Sequence, residues 1–428
     1  MLPYDVWCDL YGGKAYYWSL HFLENDTTLC IAISFQVLLA ISILFRFMER
    51  KASFVLWILM ISLSYRNPYL FYGGEKLLIN LLLISVFMPA RTTSRKTEEY
   101  KWLARLGGFL VMIQAISLYS SSGITKLGTE IWTNGEAIGL ALNMRMVATP
   151  FGRWFCQFGS LNSVLTYITP WVESLVPFAF LLPFWNRRIR IAAVLVMLSL
   201  NVGIALTLNV GHFMFYATAV LTACLPKEFW DQLGLFKQKE PDTVDEPEKM
   251  PLPAMARVIS SAFFGCLIFL ITTVTFIDFH FSEKLLPYPK PVWTTIRGLE
   301  MYQNWGVFTK LNDTNVWFVA KANLKNGSTV DILQDGNAVV WDAQPGPPAL
   351  FRRNSKWRVA FQKAYARRKN RKAINAFARS LIEHWNTGKS SKEQVDRLTL
   401  YLLRAKLDSL DKISYVKYLV WTRKPSKQ

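Results

Sequence analysis

Long apolar stretches separated by short charged connections dominate the first two thirds of the chain. A bilayer core needs roughly 20 apolar residues per helix, and fewer when flanking side chains reach the interface. The eight predicted spans are residues 28–48, 52–65, 76–90, 103–121, 163–185, 189–209, 212–226 and 257–279. Core helices of a soluble protein are the alternative, but so many apolar runs with so few charges argue against it. The pattern predicts a polytopic helical membrane bundle of about eight spans over residues 1–279.

The apolar pattern stops after Phe279, where alternation and amphipathic spacing take over. The predicted elements are strands at 315–323, 328–334, 395–402 and 413–421, and one or two helices within 355–387. Lys325-Asn326-Gly327 between the first two strands is a hairpin signal. We therefore expect a mainly α protein, in which a small α+β extramembrane domain over 280–428 follows the bundle.

Composition supports this division. Apolar residues make up 52% of the 428 residues and charged ones only 18%, where soluble domains carry about a quarter. Residues 280–428 hold 27 Lys and Arg against 11 Asp and Glu, out of a net charge of +19 for the whole chain. A disordered chain and a single small soluble domain are thereby excluded.

Basic residues cluster in alternate connections, and this sets the expected orientation. The connections predicted to be cytoplasmic are 46–51, 91–102, 186–190 and 226–256, and those predicted to be outside are 1–27, 66–75, 122–159 and 280–428. No cationic segment followed by an apolar one marks a cleavable signal peptide at the start, so we expect the first span to direct insertion. The protein is expected to be an integral multi-pass membrane protein, in the inner membrane if bacterial, with its C-terminal domain on the periplasmic or extracellular side.

A strongly basic run follows the predicted hairpin. Residues 352–379 contain 11 Lys and Arg and no acidic residue. A basic amphipathic helix beside a membrane can dock on anionic headgroups or remain solvated, and it can also hold an acidic peptide substrate. Nucleic-acid binding would need a cytoplasmic position and a recognisable fold, and neither is indicated.

Few residues in the chain suit a disulfide framework or a metal site. The five cysteines are scattered, and neither a CxxC pair nor a Cys/His cluster is present. The four histidines form no two-histidine pair. We therefore predict no metal ligand set.

Two charged residues lie in or beside apolar stretches, where burial of their side chains costs free energy. Glu173 falls within a predicted span, which makes it a candidate functional residue; the alternative is a structural pairing with a neighbouring cation. The Ser120–Ser122 run and Gly123 are predicted to end the preceding helix, leaving Lys126 at the membrane surface before a turn at 133–135 and an interfacial helix over 136–146. A lysine in a partly dehydrated place can act as a neutral base or nucleophile, or it can snorkel to lipid headgroups.

The order of several motifs resembles the horizontally transferred transmembrane (HTTM) domain, which is related to vitamin K-dependent gamma-carboxylase. The resemblance rests on Tyr119, Gly123, Lys126-Leu127, Trp132 and Gly135, which follow the family's Gly-x-x-Lys-Leu, Trp, x-x-Gly pattern. The segment from Arg66 to Pro89, with Glu75 in an acidic place and Gly73-Gly74 read as a turn, is similar to a second motif. Glu173 with Pro177, and the stretch 301–310, are similar to two more.

The resemblance implies a site and a chemistry. Lys126 would take the catalytic lysine's place, with Glu173 as a second catalytic residue. Trp132, Gly135, Tyr119 and His212 would contact the substrate. The implied cofactors are a reduced, vitamin K-like quinone with oxygen and carbon dioxide, and no metal. The implied partners are the lipid bilayer and an exported peptide or protein, whose glutamates would be carboxylated after proton abstraction.

Three departures from the family pattern leave an alternative function open. No histidine follows the 87–90 segment, and Asn201 stands where many members have a histidine, with His212 beside Gly211. Family members usually begin with one more spanning helix followed by Leu-Pro, whereas this chain begins Met1-Leu2-Pro3; we expect either that the start is assigned too late or that the first helix is lost. The alternative function is a non-catalytic membrane protein of this fold that assists maturation, export or immunity of a partner.

Overall fold

The structure is a computed structural model. It describes residues 26–45, 47–66, 68, 70–71, 73–87, 98–144, 146–182, 186–234, 289–303, 305–306, 308–309, 316–341, 348–353, 355–366, 371–407 and 413–423. The predicted span 257–279 lies outside the described residues, as do the first 25 residues, most of the 226–256 connection and part of the basic run.

Helices cover most of the described part of residues 26–232. They are α1 (Asp26–Leu44), α2 (Glu49–Arg66), α3 (Gly73–Phe87), α4 (Glu98–Leu127), α5 (Glu130–Thr133), α6 (Ala137–Asn143), α7 (Pro150–Phe155), α8 (Gly159–Leu175, continued by a 3₁₀ turn Val176–Leu181), α9 (Asn186–Thr207), α10 (Phe213–Ala223) and α11 (Lys227–Gln232). Seven of the eight segments predicted to span coincide with one of these helices.

Fewer helices than predicted meet the length and hydropathy that a bilayer crossing requires. Among the described residues these are Arg105–Leu127, Gly159–Leu181 and Arg187–Thr207, with shorter apolar helices at Leu29–Leu44 and Phe213–Ala223. Eight spans are therefore not confirmed. The reasons are charge and length. α2 carries charged residues at both ends, while α3 and α10 have 15 and 11 residues, short of the roughly 20 that cross a bilayer.

Two local predictions were wrong. The helix that contains Ser120–Ser122 and Gly123 continues to Leu127, because the Thr125 and Ser120 hydroxyls bond to backbone carbonyls without displacing the helical pattern. Lys126 therefore lies in the last turn of α4. Gly73 and Gly74 begin α3, where a β-carbon on Gly74 would lie 2.9 Å from the Tyr216 ring.

The helical core extends beyond the membrane segments in sequence. A helix α12 (Lys290–Gly298) and the stretch after it bring Ile296, Met301 and Trp305 into the same buried cluster as residues of α3, α4, α9 and α10. Gln303 exchanges two hydrogen bonds with Gln114 of α4, at 2.7 and 3.0 Å, with both side chains buried. The described residues between 289 and 309 thus pack within the bundle.

The described residues from 316 to 423 form the predicted α+β arrangement. It contains β1 (Val316–Leu324), β2 (Thr329–Asp331), α13 (Ala349–Arg353), α14 (Ser355–Ala366), α15 (Arg371–Asn386), β3 (Val395–Leu407) and β4 (Ile413–Arg423). The strands form an antiparallel sheet in the order β2-β1-β3-β4. Phe361 of α14 packs between Phe318 of β1 and Phe377 of α15, with centroids 4.2 and 4.7 Å away. The β1–β2 hairpin at 325–327 is confirmed.

Candidate functional site

A buried ion pair joins α4 to α8. The Nζ of Lys126 lies 2.5 Å from the Oε2 of Glu173, and the two side chains are 5% and 4% exposed. The same Nζ donates to the Oγ of Ser122 at 3.0 Å and lies 4.9 Å from the centroid of the Trp132 ring. A lysine and a carboxylate this deep in an apolar bundle avoid a large desolvation cost only by pairing. Lys126 and Glu173, which the sequence analysis identified separately, therefore form one ion pair. Glu173 thus has the neighbouring cation that the structural alternative predicted for it.

Gly123 allows the two helices to come close enough for this pair. A β-carbon added there would lie 2.5 Å from the Oγ and 2.6 Å from the backbone N of Ser174. The Oγ of Ser120, one turn earlier, donates to the carbonyl oxygen of Ser174 at 3.0 Å. The serine and glycine run thus holds α4 against α8 directly before Lys126.

Trp132 and Gly135 close the site beyond the end of α4. Trp132 is buried, and its Nε1 donates to the carbonyl oxygen of Phe308 at 3.0 Å. Gly135 has φ +78°, and a β-carbon there would lie 2.9 Å from the Tyr167 ring. Only glycine adopts that backbone conformation at little cost. Both residues shape the site, and Trp132 also lines its space.

An apolar cavity of about 420 Å³ begins at the ion pair. It lies between α8 and α9, and Val172, Leu200 and Gly203 line it together with Lys126 and Glu173. At its outer side, Ile168 and Val196 are 49% and 42% exposed. Because α8 and α9 belong to the segments long and apolar enough to cross a bilayer, we expect this side of the cavity to face lipid.

A second cavity of about 210 Å³ shares the ion pair and is more polar. Tyr119, Asn201 and Trp305 line it with Lys126 and Glu173. The Tyr119 hydroxyl donates to the Oδ1 of Asn201 at 3.0 Å. The Nδ2 of Asn201 is buried and has no hydrogen-bond partner among the described residues. The site therefore contains an unused donor beside a charged pair.

His212 does not belong to this group. It is exposed at the start of α10, against the Phe215 ring at 6.4 Å between centroids, and it lines neither cavity. Asn201, six residues before the end of α9, takes the interior position instead. From the sequence, Asn201 stood out only because it replaces a family histidine. Its polar side chain within the predicted span 189–209 was the signal that could have identified it as a site residue. The described residues contain no group of three or more His, Cys, Asp or Glu that could hold a metal ion.

The basic helix α14 serves a purpose that the sequence did not indicate. Lys356 forms an ion pair with Glu75 and donates to the carbonyl oxygen of Leu70 at 3.0 Å. Lys363 donates to the carbonyl oxygen of Pro68 at 2.7 Å, and Arg358 to those of Met146 and Asn209 at 3.2 and 2.9 Å. The contacted carbonyls lie in the connections that follow α2, α6 and α9. Three cations of the run therefore attach the C-terminal domain to one end of the bundle.

The fold and this site define a polytopic helical membrane protein with a docked α+β domain. The family model described as the lipase maturation factor transmembrane domain matches residues 15–232. This is half of the chain, and the chain belongs to that family. The family that matches is thus not the HTTM domain, and the match lends no support to carboxylation. Neither a curated protein nor a solved structure matches the chain.

Proposed function

We propose that this protein is a membrane-embedded factor that assists the maturation of an exported protein, a lipase in the first instance, without modifying it covalently. The observation that carries this proposal is the family match over residues 15–232. The name of the family describes assistance to a protein partner, and folding assistance requires binding surfaces rather than a reaction centre. The lipid bilayer and the exported partner are then the protein's two contacts.

The C-terminal sheet offers a surface suited to an unfinished polypeptide. β4 is the outer strand of the sheet, eleven residues long, and Tyr418 and Leu419 on it are 45% and 61% exposed. Arg371 and Arg404 border the groove beside it. A free strand edge binds extended segments through backbone hydrogen bonds. We propose that the partner pairs with β4 before it completes its own fold.

This role requires the C-terminal domain to face the compartment into which the partner is exported. The charge pattern of the connections supports that orientation, and α14 holds the domain against the loops that the same pattern groups together. A reporter fused after Gln428 is expected to be active on the outer side only. Activity on the cytoplasmic side would overturn the assigned orientation.

The test is the activity of a lipase exported from the same cell. Loss of the protein should lower the specific activity of the exported lipase, and the wild-type chain should restore it. Leu419→Asp places a charge on the β4 edge and should fail to restore it. Val340→Asp, at an exposed apolar position of the same domain outside the sheet, should restore it. Equal restoration by both variants would remove β4 from the proposal.

A second candidate function rests on the position of Lys126. Because Lys126 and Glu173 line a cavity that faces lipid, a quinone could reach them from the bilayer. Lys126 would then act as the base in a carboxylation supported by reduced quinone, oxygen and carbon dioxide. Each modified glutamate of the partner would gain about 44 Da, the mass of the carbon dioxide added after proton abstraction.

A further inference from the structure

The two cavities have four lining residues in common, and together they offer one candidate site with an apolar arm and a polar arm. They share Lys126, Glu173, Ile204 and Phe308. The apolar arm has a volume of about 420 Å³, within the range of roughly 300–1,000 Å³ that small-molecule sites occupy. The wall of the polar arm carries the hydrogen-bonding side chains of Tyr119 and Asn201 as well as the ion pair.

The polar arm selects a ligand that accepts hydrogen bonds. The Oδ1 of Asn201 already accepts from Tyr119, and the Nδ2 of the same amide, on a residue that is 3% exposed, has no partner among the described side chains. A buried donor without an acceptor costs free energy. A carbonyl or carboxylate oxygen would remove that cost. The Lys126 ammonium has three donors, of which Glu173 and Ser122 accept two among the described contacts, so a third is left for a ligand oxygen.

The apolar arm selects the rest of the ligand. Its walls come from α6, α7, α8 and α9. The exposed residues at its outer side, Ile168 and Val196, lie on α8 and α9, the two helices that we expect to contact the hydrocarbon core. A molecule entering from that side arrives through lipid, so it carries a hydrocarbon chain. Gly203 on α9 leaves room in this arm, because a β-carbon there would meet no atom within 4 Å.

We propose that this site binds an acyl lipid, with its hydrocarbon chain in the apolar arm and its carbonyl group at Asn201 and Lys126. The ligand class covers free fatty acids and monoacylglycerols, which share the acyl carbonyl and differ in its charge. This proposal does not depend on the maturation role, because it concerns only the space between the helices.

The experiment uses the full-length protein in detergent and a palmitate analogue that carries a photoreactive group on its chain. After irradiation, the labelled peptides are identified by mass spectrometry. Labelling is expected on α8 and α9 at the apolar arm, and unlabelled palmitate should suppress it. Suppression by monopalmitoylglycerol as well would mean that the ester carbonyl suffices, and suppression by palmitate alone that the carboxylate is required; both support the site.

Matched variants on one helix separate the site from general contact with lipid. Gly203→Phe fills the apolar arm and should lower labelling by about tenfold or more, the loss expected when a side chain occupies the ligand's space. Val202→Phe, on the neighbouring residue whose side chain is 56% exposed to lipid, should leave labelling unchanged. Asn201→Leu should weaken competition by palmitate and leave that of a plain hydrocarbon unaltered. All three variants should elute as monodisperse protein.

Three results would overturn the proposal. One is equal labelling of wild type, Gly203→Phe and Val202→Phe, which is what contact with the outer surface alone would give. Another is labelling spread over the lipid-facing helices and insensitive to palmitate. The third is competition by a quinone but by no acyl lipid, which would assign the cavity to the carboxylase-like cofactor instead.

Discussion

The Lys126 ammonium and the Glu173 carboxylate lie 2.5 Å apart although 47 residues separate them in the chain. They are held at the contact between α4 and α8, and each is at most 5% exposed. In the described part of the chain, neither side chain forms an ion pair with any other residue. The stability of this part of the bundle therefore depends on both residues together.

Replacing one residue of this pair should lower the free energy of unfolding more than replacing both. Lys126→Met or Glu173→Leu alone leaves one buried charge uncompensated, with a cost of roughly 3–5 kcal/mol. The double variant has no buried charge and should recover part of that loss. Thermal unfolding of the purified protein in detergent measures all three. If the two single losses simply add in the double variant, the residues do not stabilise one another.

Gly123 should be required for the approach of α4 to α8. Gly123→Ala places a methyl group within 2.7 Å of Pro170 O and Ser174 N, so the helices must separate. We expect a loss of about 1–3 kcal/mol, as for other overpacked contacts. Gly108→Ala on the same helix is the matched control, since a β-carbon there meets no atom within 4 Å, and it should be neutral or stabilising. Equal effects of both substitutions on the melting temperature would contradict the assigned contact.

The ion pair between Lys356 and Glu75 should fix the C-terminal domain to the bundle. Lys356→Glu places two carboxylates face to face and should speed proteolytic cleavage around α14 by about tenfold, because like charges at an interface cost more than about 1.4 kcal/mol. Adding Glu75→Lys should slow cleavage again. Arg379→Glu, on an exposed position of α15, reverses a charge of the same run without touching the bundle and should change little. Failure of the paired reversal to restore resistance would argue against this contact.

The interface should become more stable as pH rises above neutrality. Loss of hydration lowers the pKa of Lys363 to about 8, with Lys76 acting in the same direction, against about 10.4 for an ordinary lysine. Between these two values the unfolded chain keeps a proton that the folded chain has lost, so the free energy of unfolding increases with pH. This gain should be smaller in Lys363→Met than in wild type and unchanged in Lys389→Met. Denaturant unfolding between pH 7.5 and 9.5 measures it, and identical slopes in all three proteins would refute the assignment.

Local patterns predicted local structure well in this chain. Seven apolar segments became helices, and Lys325-Asn326-Gly327 became a hairpin, because periodicity and turn chemistry act over a few residues. The composition of residues 1–279 also indicated a membrane protein, in agreement with the family match. Periodicity could not say how many helices have the length to cross a bilayer, since that depends on where each helix ends.

The arrangement of the site depended on contacts between distant residues. Lys126 and Glu173 were each identified because burying a charge in or beside an apolar run costs free energy. Their pairing also requires the close approach of α4 and α8 at Gly123. Asn201 rather than His212 lies inside because α9 turns one face to the cavity and His212 follows its end. The basic run of α14 was expected at a lipid surface or a substrate, and part of it binds backbone carbonyls of the bundle. A cluster of basic residues indicates that acceptor groups must lie nearby, and only the fold shows which groups these are.

One measurement tests the central claim most directly: the intact mass and the specific activity of an exported lipase, purified from cells with and without this protein. A non-covalent maturation factor predicts higher specific activity in its presence and the same mass in both samples. A mass increase of about 44 Da per site, or specific activity that does not depend on the protein, would contradict the account.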